Sequence, residues 1–178
     1  MARLYISLGS NVERHHYVSK GLTALESFFG ELTLSSLFAS KAVGFDGAEF
    51  YNMVVGASTK LTVEQVAKAL RDIEFANGRE IDAKKYSPRT LDLDLLLFDD
   101  LVLETPAQIP RAEITENAFV LWPLAEVAPL LKHPILEKSY QQLWQRYDKS
   151  KQQITIVDFS WLSSLEKSYT SISKNKKE

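Results

Sequence analysis

The 178-residue chain contains no cysteine, which excludes a disulfide, a thiol nucleophile and a zinc–thiolate site. It has only three histidines, so we do not expect metal chemistry based on imidazole. The net charge of −2 gives no electrostatic reason to expect nucleic acid or an anionic membrane as a partner. No apolar run approaches the roughly 18 residues of a membrane span, and no charged-then-apolar leader is recognisable. These absences permit a cytoplasmic location, which we expect. We also expect a monomer with small-molecule partners, although composition does not itself indicate either.

The remaining composition is that of an ordinary globular protein, with 45% hydrophobic and 25% charged residues. We predict one domain over residues 1–162 and a polar, Lys-rich tail over 163–178. Apolar spacing predicts strands at 4–8, 32–39, 50–58 and 153–157. It also predicts four helices: one at 13–29, one that begins after an N-cap at Thr62, one that begins at 115 and one at 139–147. Pro123 is expected to kink or end the third of these helices. The order strand, helix, strand, strand, helix, strand is typical of a ferredoxin-like α+β fold.

Residues 88–98, with the sequence PRTLDLDLLLF, carry the strongest chemical signal. Their period of two predicts a strand on which Asp92 and Asp94 share one face. Two carboxylates about 7 Å apart along a strand are both ionised at neutral pH, so they need a cation close by. Hard oxygen ligands suit Mg²⁺, which usually takes one or two carboxylates plus substrate phosphates. The run therefore predicts a Mg²⁺ site for a phosphorylated substrate.

A solvated strand face that carries two acids, with Arg89 as their ion-pair partner, is the alternative interpretation. Two features favour the metal site. The aspartate face is predicted to become apolar at Leu96 and Phe98, which places the carboxylates at the mouth of a covered sheet. The preceding loop, 79–87, is basic; such loops are usually just solvated, but this one leads into Arg89, whose guanidinium fork is able to grip a phosphate. A basic flap that closes over a triphosphate is therefore a second hypothesis.

The same run resembles the signature of the 6-hydroxymethyl-7,8-dihydropterin pyrophosphokinase family of the folate pathway. Residues 6–11 (ISLGSN), 50–52 (FYN) and 118–124 (AFVLWPL) fit that family in order and spacing, and the match extends from about residue 4 to 159. The resemblance implies a ferredoxin-like antiparallel sheet with helices packed on both sides. It also implies transfer of the β,γ-diphosphate of ATP to the hydroxymethyl group of the dihydropterin, with AMP as the other product and two Mg²⁺ ions as cofactors.

The resemblance also implies roles for individual residues. Asp92 and Asp94 would hold the metal ions and, with two arginines, would form the catalytic group, Asp92, Asp94, Arg79 and Arg89. The pterin would contact Asn52, Phe119, Ser40, Val43 and Phe50. The nucleotide would contact Glu74, Arg79, Tyr86, Arg89 and Arg111.

Each of these residues also has a purely structural interpretation. Asn52 either makes a turn or presents its carboxamide to the edge of a flat heterocycle. Phe119 and Phe50 are either core residues or walls of the pterin site, and a stacked Phe119 would contribute about 1 kcal/mol. Glu74 is either a solvated helix residue or close to the nucleotide. Gly9, in the segment Gly-Ser-Asn, indicates a tight turn more strongly than a phosphate-binding loop.

The chain departs from the family pattern at several positions. Ile81, Pro106 and Asn117 stand where basic residues are common, and Arg111 replaces a histidine. Lys41 stands where proline is common, Tyr86 where tryptophan is common and Ser87 where glycine is common. The phosphate clamp is therefore thinner, with Arg111, Lys84 and Lys85 as possible replacements, and we predict slower turnover or weaker ATP binding. The alternatives are a diverged paralogue with a pterin-binding or regulatory role, an unrelated Mg²⁺-dependent nucleotide enzyme, or an RNA-binding ferredoxin-like domain, which the acidic balance disfavours.

Overall fold

The computed structural model describes residues 1–82, 84 and 88–161. Within these residues six strands form one sheet, namely β1 (Ala2–Ser10), β2 (Thr33–Leu34), β3 (Leu37–Ser40), β4 (Phe50–Thr59), β5 (Asp92–Phe98) and β6 (Ile154–Val157). Five helices accompany them, namely α1 (Arg14–Phe29), α2 (Val63–Ala76), α3 (Glu113–Glu116), α4 (Ala118–Val127) and α5 (Tyr140–Arg146). No helix in the described ranges is long and apolar enough to cross a membrane.

The sheet is antiparallel at every pairing, in the order β5-β1-β4-β3-β6, with β2 also paired to β4. Alternation along β1 separates two hydrophobic cores, because successive side chains of a strand point to opposite faces. One core contains Leu4, Ile6 and Leu8 together with residues of α1 and α2. The other contains Tyr5 together with residues of α4. The predicted α+β fold, with helices on both faces of one antiparallel sheet, is therefore confirmed.

Helix α2 begins at the predicted capping box. The Thr62 hydroxyl accepts a hydrogen bond from Gln65 N at 3.3 Å, and the Gln65 side chain accepts one from Thr62 N at 2.9 Å. The helix ends at Asn77, and Gly78 follows with a φ of 89°, a left-handed conformation that glycine adopts without strain. The last turn of α2 carries Glu74, which contacts β5.

The single strand predicted over 32–39 is wrong, because the chain breaks between β2 and β3 at Ser35 and Ser36. Ser35 N donates to Val54 O at 3.0 Å, while the Ser35 hydroxyl accepts from Val54 N at 2.9 Å. Ser36 N donates to a carboxylate oxygen of Glu126 on α4 at 2.8 Å. Side-chain acceptors thus replace part of the strand ladder, as serine does when it competes with regular structure.

The helix predicted from residue 115 is also divided. Asn117 has an extended conformation, with φ −120° and ψ 123°, and separates α3 from α4. Pro123 lies inside α4, which continues to Val127, so of the two predicted effects an end of the helix at Pro123 is wrong, and a kink stays a prediction. Gln152 accounts for the new helix start, since its side-chain oxygen accepts a hydrogen bond from Ala118 N at 2.7 Å.

The alternation predicted for β5 holds only as far as Leu95. The pairing register with β1 shifts there, so that Ile6 faces Leu95 while Tyr5 faces Leu97. Leu96 is therefore an extra residue, a β-bulge, and both Leu96 and Leu97 contribute to the core on the α4 side. Phe98 packs in the opposite core, so the prediction that it shares the aspartate face is wrong.

The loop between α4 and α5 is organised by a buried histidine. His133 is 6% exposed, and its Nδ1 accepts hydrogen bonds from Ile135 N and Leu136 N, both at 3.2 Å. Burial lowers the pKa of His133 below its usual value of 6.5, which favours the neutral ring. An acceptor at Nδ1 is present only in that neutral form.

Acidification should therefore loosen this loop. Because the pKa is lower in the folded state, the stability that neutral His133 contributes is present above pH 6.5 and is lost as the pH falls below it. His133→Asn keeps a side-chain acceptor but does not titrate, so its unfolding midpoint should fall less than that of the wild type between pH 7.5 and 5. Thermal unfolding measures this, with the exposed His16→Asn as control. Parallel pH curves for the wild type and His133→Asn would contradict this role.

Candidate active site

Asp92 and Asp94 lie on β5 and project from the face of the sheet that α4 covers. The leucines that alternate with them, Leu91, Leu93 and Leu95, belong to the opposite core, next to α1 and α2. Asp92 pairs with Gly9 of β1, and Asp94 pairs with Ser7. Both aspartates are only partly exposed. The structure thus brings the two predicted acids onto one partly covered face.

Burial and a neighbouring carboxyl group disfavour the ionisation of each aspartate. Burial, followed by the nearby carboxyl of Glu74, raises the pKa of Asp92 to about 6, against the opposing charge of Arg89. Burial, followed by the charge of Asp92, raises the pKa of Asp94 to about 7, against the opposing charge of Arg111. Both aspartates would be stabilised in the charged form by a cation placed between them.

The donor set fits Mg²⁺ that is bound together with phosphate. No group of three or more His, Cys, Asp or Glu side chains able to hold a metal ion occurs among the described residues. The pair Asp92 and Asp94 therefore supplies two hard oxygen donors and needs others to complete a coordination sphere. Mg²⁺ accepts such an arrangement, because it usually binds one or two carboxylates and takes its remaining ligands from substrate phosphates and water.

Glu74 connects α2 to the aspartate strand. It is 3% exposed, and one carboxylate oxygen accepts a hydrogen bond from Leu93 N at 2.8 Å. The other oxygen forms an ion pair with Arg79. Because Leu93 lies between the two aspartates, Glu74 holds both the strand that carries them and a predicted phosphate ligand. The interpretation of Glu74 as a solvated helix residue is wrong, and contact with the nucleotide stays a prediction.

The backbone of Arg89 is held by Asn11, and its side chain is held by the backbone of Lys84. Its N–H donates to the Asn11 side-chain oxygen at 2.7 Å, and its carbonyl accepts from Asn11 N at 3.0 Å. The guanidinium donates to the carbonyl oxygen of Lys84 at 2.8 Å. A cavity of about 460 Å³ adjoins these groups, with Arg79, Lys84 and Arg89 among its lining residues. The structure thus gathers the predicted arginines beside the start of β5.

The third predicted phosphate ligand, Arg111, lies on the other side of the aspartates. Its guanidinium is 3.2 Å from Asp94 Oδ1 and 3.4 Å from a carboxylate oxygen of Glu113. Tyr86 lies outside the residues that the structure describes, as do Lys85 and Ser87, so the prediction that Tyr86 contacts the nucleotide is not addressed.

Asn52 and Ser40, two predicted pterin contacts, meet across neighbouring strands. The Asn52 amide donates to the Ser40 hydroxyl at 3.1 Å. Asn52 pairs with Gly9, and Gly9 pairs in turn with Asp92, so the three residues form a row across β4, β1 and β5. The row joins the predicted reader of the pterin edge to the predicted metal site.

The apolar residues predicted to line the pterin site are all at least partly exposed. Phe50 is partly exposed and lies edge-on to Phe45, with ring centroids 6.4 Å apart. Phe119 is also partly exposed and packs against the core on the α4 side. Val43 is 47% exposed on the loop that precedes β4. Core packing and ligand contact remain compatible for both phenylalanines, because each is only partly buried.

Sequence reasoning missed Gly9 and Asn11 as parts of this site. A Cβ atom on Gly9 would lie 2.8 Å from Asn52 Oδ1, a separation that real Cβ atoms essentially never show. Because Gly9 has no side chain, the space above it between Asn52 and Asp92 is open. The strand predicted over 4–8 extends to Ser10, so the tight turn predicted at Gly9 is wrong. A glycine inside a strand often marks a close approach of a ligand or a backbone. Asn11 gave no comparable signal, because its partner Arg89 is 78 residues away.

Comparison with known proteins identifies relatives over most of the chain. Residues 5–129 match the family model described as 7,8-dihydro-6-hydroxymethylpterin-pyrophosphokinase. The chain is 34% identical over 145 residues to the 2-amino-4-hydroxy-6-hydroxymethyldihydropteridine pyrophosphokinase of Aquifex aeolicus, which covers 80% of this chain and 90% of the relative. It is 37% identical over 137 residues to the Pseudomonas aeruginosa enzyme of the same name, with 74% of this chain and 84% of the relative covered.

Solved structures share the fold at low sequence identity. The wild-type HPPK-DHPS of Plasmodium falciparum matches with a TM-score of 0.65 at 14% identity, over 84% of this chain and 46% of that one. An HPPK-DHPS in complex with substrates matches with a TM-score of 0.68 at 11% identity, over 84% of this chain and 44% of that one. The chain thus spans less than half the length of these proteins.

The raised pKa values predict that Asp94 weakens the metal-free fold at neutral pH. Because the pKa rises from 3.8 to about 7 on folding, the stability that protonated Asp94 contributes is present below pH 4 and is lost as the pH rises through 7. In EDTA, Asp94→Asn should therefore unfold at a higher temperature than the wild type at pH 8 but not at pH 4. Thermal unfolding tests this, with the exposed Asp100→Asn as control. An Asp94→Asn variant less stable than the wild type at pH 8 would oppose the assignment.

The two contacts of Glu74 can be separated by substitution. Glu74→Gln keeps an acceptor for Leu93 N but loses the charge that pairs with Arg79, whereas Glu74→Ala loses both. We expect Glu74→Ala to lower the free energy of unfolding by about 2–3 kcal/mol and Glu74→Gln by less. Urea denaturation measures both, and the exposed Glu64→Ala on the same helix is the control. Equal losses for Glu74→Gln and Glu74→Ala would show that the hydrogen bond to β5 contributes nothing.

The role of the open space at Gly9 can be tested by adding one methyl group. Gly9→Ala should displace the Asn52 side chain, because the new Cβ would approach its oxygen to 2.8 Å. We expect dihydropterin affinity to fall at least tenfold, measured by calorimetry, while thermal unfolding remains cooperative. Gly30→Ala, remote from Asn52, controls for destabilisation alone: its φ of 80° strains alanine although a Cβ meets no atom within 4 Å, so dihydropterin affinity should be retained. Unchanged dihydropterin affinity in Gly9→Ala would refute this role.

Proposed function

The chain belongs to the 7,8-dihydro-6-hydroxymethylpterin-pyrophosphokinase family, and we propose that Asp92 and Asp94 form its catalytic centre. The activity is transfer of diphosphate from ATP to the hydroxymethyl group of 6-hydroxymethyl-7,8-dihydropterin, a step of folate biosynthesis. The hydroxyl oxygen forms a bond to the β-phosphorus and loses its proton, while the bond between the β-phosphorus and the α-phosphate oxygen breaks. The products are AMP and the dihydropterin diphosphate.

The observation that supports this assignment is the row formed by Asp92, Gly9 and Asn52. Adjacent strands are about 4.8 Å apart, so residues separated by one strand lie about 10 Å apart. That distance suits a flat ring that Asn52 holds at one edge and whose hydroxymethyl group extends toward Asp92. The amide of Asn52 offers donors and acceptors together, as the pterin edge requires. Phe119 and Phe50 would pack on the ring faces, with Ser40 supporting Asn52 and Val43 supplying an apolar contact from the preceding loop.

Charge is the main obstacle to the reaction, because ATP brings several phosphate oxygens to two carboxylates. Asp92 and Asp94 would hold two Mg²⁺ ions, which supply charge neutralisation and a lowered pKa for the attacking hydroxyl. Arg79 and Arg89 would grip phosphate oxygens through their guanidinium forks. Their positions are set by Glu74 and by Asn11 respectively. Holding the reacting groups in fixed positions accounts for much of the rate enhancement in phosphoryl transfer.

Several finer assignments remain our proposals. Glu74, Tyr86 and Arg111 would complete the nucleotide site, and residues 1–162 would form the catalytic domain, ahead of a tail over 163–178 that lies outside the described residues. We also propose a cytoplasmic monomer that acts on small molecules. The thinner phosphate clamp at Ile81, Pro106 and Asn117 would slow turnover or weaken ATP binding. Asn117 accepts a hydrogen bond from the Gln152 side chain at 2.8 Å, so its role in the structure is to fix the start of α4.

No observation favours a purely regulatory pterin-binding paralogue. Such a protein needs no pair of carboxylates with raised pKa values, and both are present here beside three arginines. The same centre distinguishes the chain from a ferredoxin-like RNA-binding domain, which requires a basic sheet face.

Formation of AMP from ATP, Mg²⁺ and 6-hydroxymethyl-7,8-dihydropterin tests the function directly. We expect Asp92→Ala and Asp94→Ala each to lower the rate of AMP formation by about 10³-fold or more, because the charge on the phosphates is then poorly neutralised. Asp100→Ala, in the exposed turn after β5, should retain the wild-type rate. Circular dichroism checks that each variant is folded. Undiminished AMP formation by folded Asp94→Ala would refute the metal assignment.

A further inference from the structure

Arg111 is anchored to the aspartate strand by its backbone and reaches it again with its side chain. Arg111 N donates to Leu96 O at 3.1 Å, at the β-bulge of β5. Its guanidinium lies between Asp94, with a nitrogen–oxygen distance of 3.2 Å, and Glu113, at 3.4 Å. Because the backbone is fixed at the bulge, only the side chain of Arg111 is free to change its partners.

Both contacts of this guanidinium are long. Strong hydrogen bonds between guanidinium and carboxylate have distances of about 2.7–2.9 Å. Arg111 Nε is buried, and no hydrogen-bond acceptor for it is found among the described residues. A guanidinium has five N–H donors, and an anion with several oxygens would satisfy them better than the two distant carboxylates do. Arg111 is therefore bonded weakly enough to exchange its carboxylate partner for a phosphate.

The oxygen that Arg111 faces is one that we assign to metal binding. A guanidinium and a divalent cation compete for the negative charge of Asp94, since each is stabilised by the same carboxylate. We propose that Arg111 exchanges partners during substrate binding: it leaves Asp94 for a phosphate oxygen of the nucleotide, and this exchange frees Asp94 for the divalent cation. The proposal rests on the assignment of Asp92 and Asp94 as metal ligands. It adds that Arg111 makes cation binding depend on nucleotide binding.

A simpler role for Arg111 would be to orient Asp94 rigidly. The two roles predict opposite effects of removing the side chain. An orienting partner of a metal ligand usually strengthens metal binding, and its loss weakens affinity by 10- to 100-fold. A competitor for the ligand weakens metal binding, and its loss strengthens affinity. The sign of the change in cation affinity therefore distinguishes exchange from orientation.

The first experiment measures Mn²⁺ binding to the full chain without nucleotide, by calorimetry at pH 8. Exchange predicts that Arg111→Gln binds Mn²⁺ about fivefold more tightly than the wild type, the effect expected for loss of a partly exposed ion pair. Arg71→Gln removes an equal charge from the exposed face of α2 and should leave the affinity unchanged. Equal or weaker binding by Arg111→Gln overturns the proposal, and so does an equal gain in Arg71→Gln, which would indicate net charge as the cause.

The second experiment repeats the titration with a non-hydrolysable ATP analogue. By linkage, the factor by which the analogue raises Mn²⁺ affinity should be smaller in Arg111→Gln than in the wild type, because the analogue no longer removes a competitor. An unchanged factor overturns the proposal. If the wild type binds no Mn²⁺ even with the analogue, the metal assignment itself fails, which separates the two conclusions.

A measurement on the wild-type chain keeps the proposal testable if Arg111→Gln does not fold. The side-chain Nε–H signal of Arg111 in a ¹⁵N NMR spectrum can be assigned by its loss in Arg111→Lys. Exchange predicts that this signal shifts when Mg²⁺ and the analogue are added together, as the guanidinium moves from carboxylate to phosphate. A signal that remains at its original position while both ligands bind contradicts the exchange.

Discussion

The site depends on the buried carboxylate of Glu74, which accepts a backbone hydrogen bond in place of a neighbouring strand. β5 lies at the edge of the sheet, so part of its backbone has no neighbouring strand to pair with. Glu74 accepts the N–H of Leu93, the residue between the two aspartates, and pairs with Arg79 through its other oxygen. A hydrogen bond to a charged group contributes about 1.5–3 kcal/mol. Helix α2 thereby fixes the strand that carries the aspartates and Arg79, a predicted phosphate ligand, with a single side chain.

The electrostatics around this contact support the proposal that the site binds charged ligands. Asp92 and Asp94 have raised pKa values because both are partly buried and close to other carboxyl groups. The arginines nearby offset only part of this cost, and Arg111 does so through long contacts. A cation on one side and a polyanion on the other would satisfy both sets of groups. Magnesium-bound ATP combines the two, which agrees with the activity of the family.

Local pattern predicted those features that depend on neighbouring residues in sequence. The shared face of Asp92 and Asp94 follows from strand alternation, and the start of α2 follows from the Thr62 and Gln65 capping box. The bulge at Leu96 was not predictable, because it depends on how β5 fits against β1. The contact of Glu74 with Leu93 and the close approach of Gly9 to Asn52 were missed for the same reason, since these partners are brought close only by the fold. The break at Ser35 and Ser36 was missed because their hydrogen-bond partners, Val54 and Glu126, are distant in sequence.

Crystals grown with Mn²⁺, a non-hydrolysable ATP analogue and the dihydropterin test the central assignment most directly. The anomalous scattering of manganese locates each ion independently of the protein coordinates. We expect peaks bonded to carboxylate oxygens of Asp92 and Asp94, at distances slightly above the 2.0–2.1 Å typical of Mg²⁺, and in contact with the phosphates. Full nucleotide occupancy without an anomalous peak at either aspartate would contradict the assignment of Asp92 and Asp94 as metal ligands.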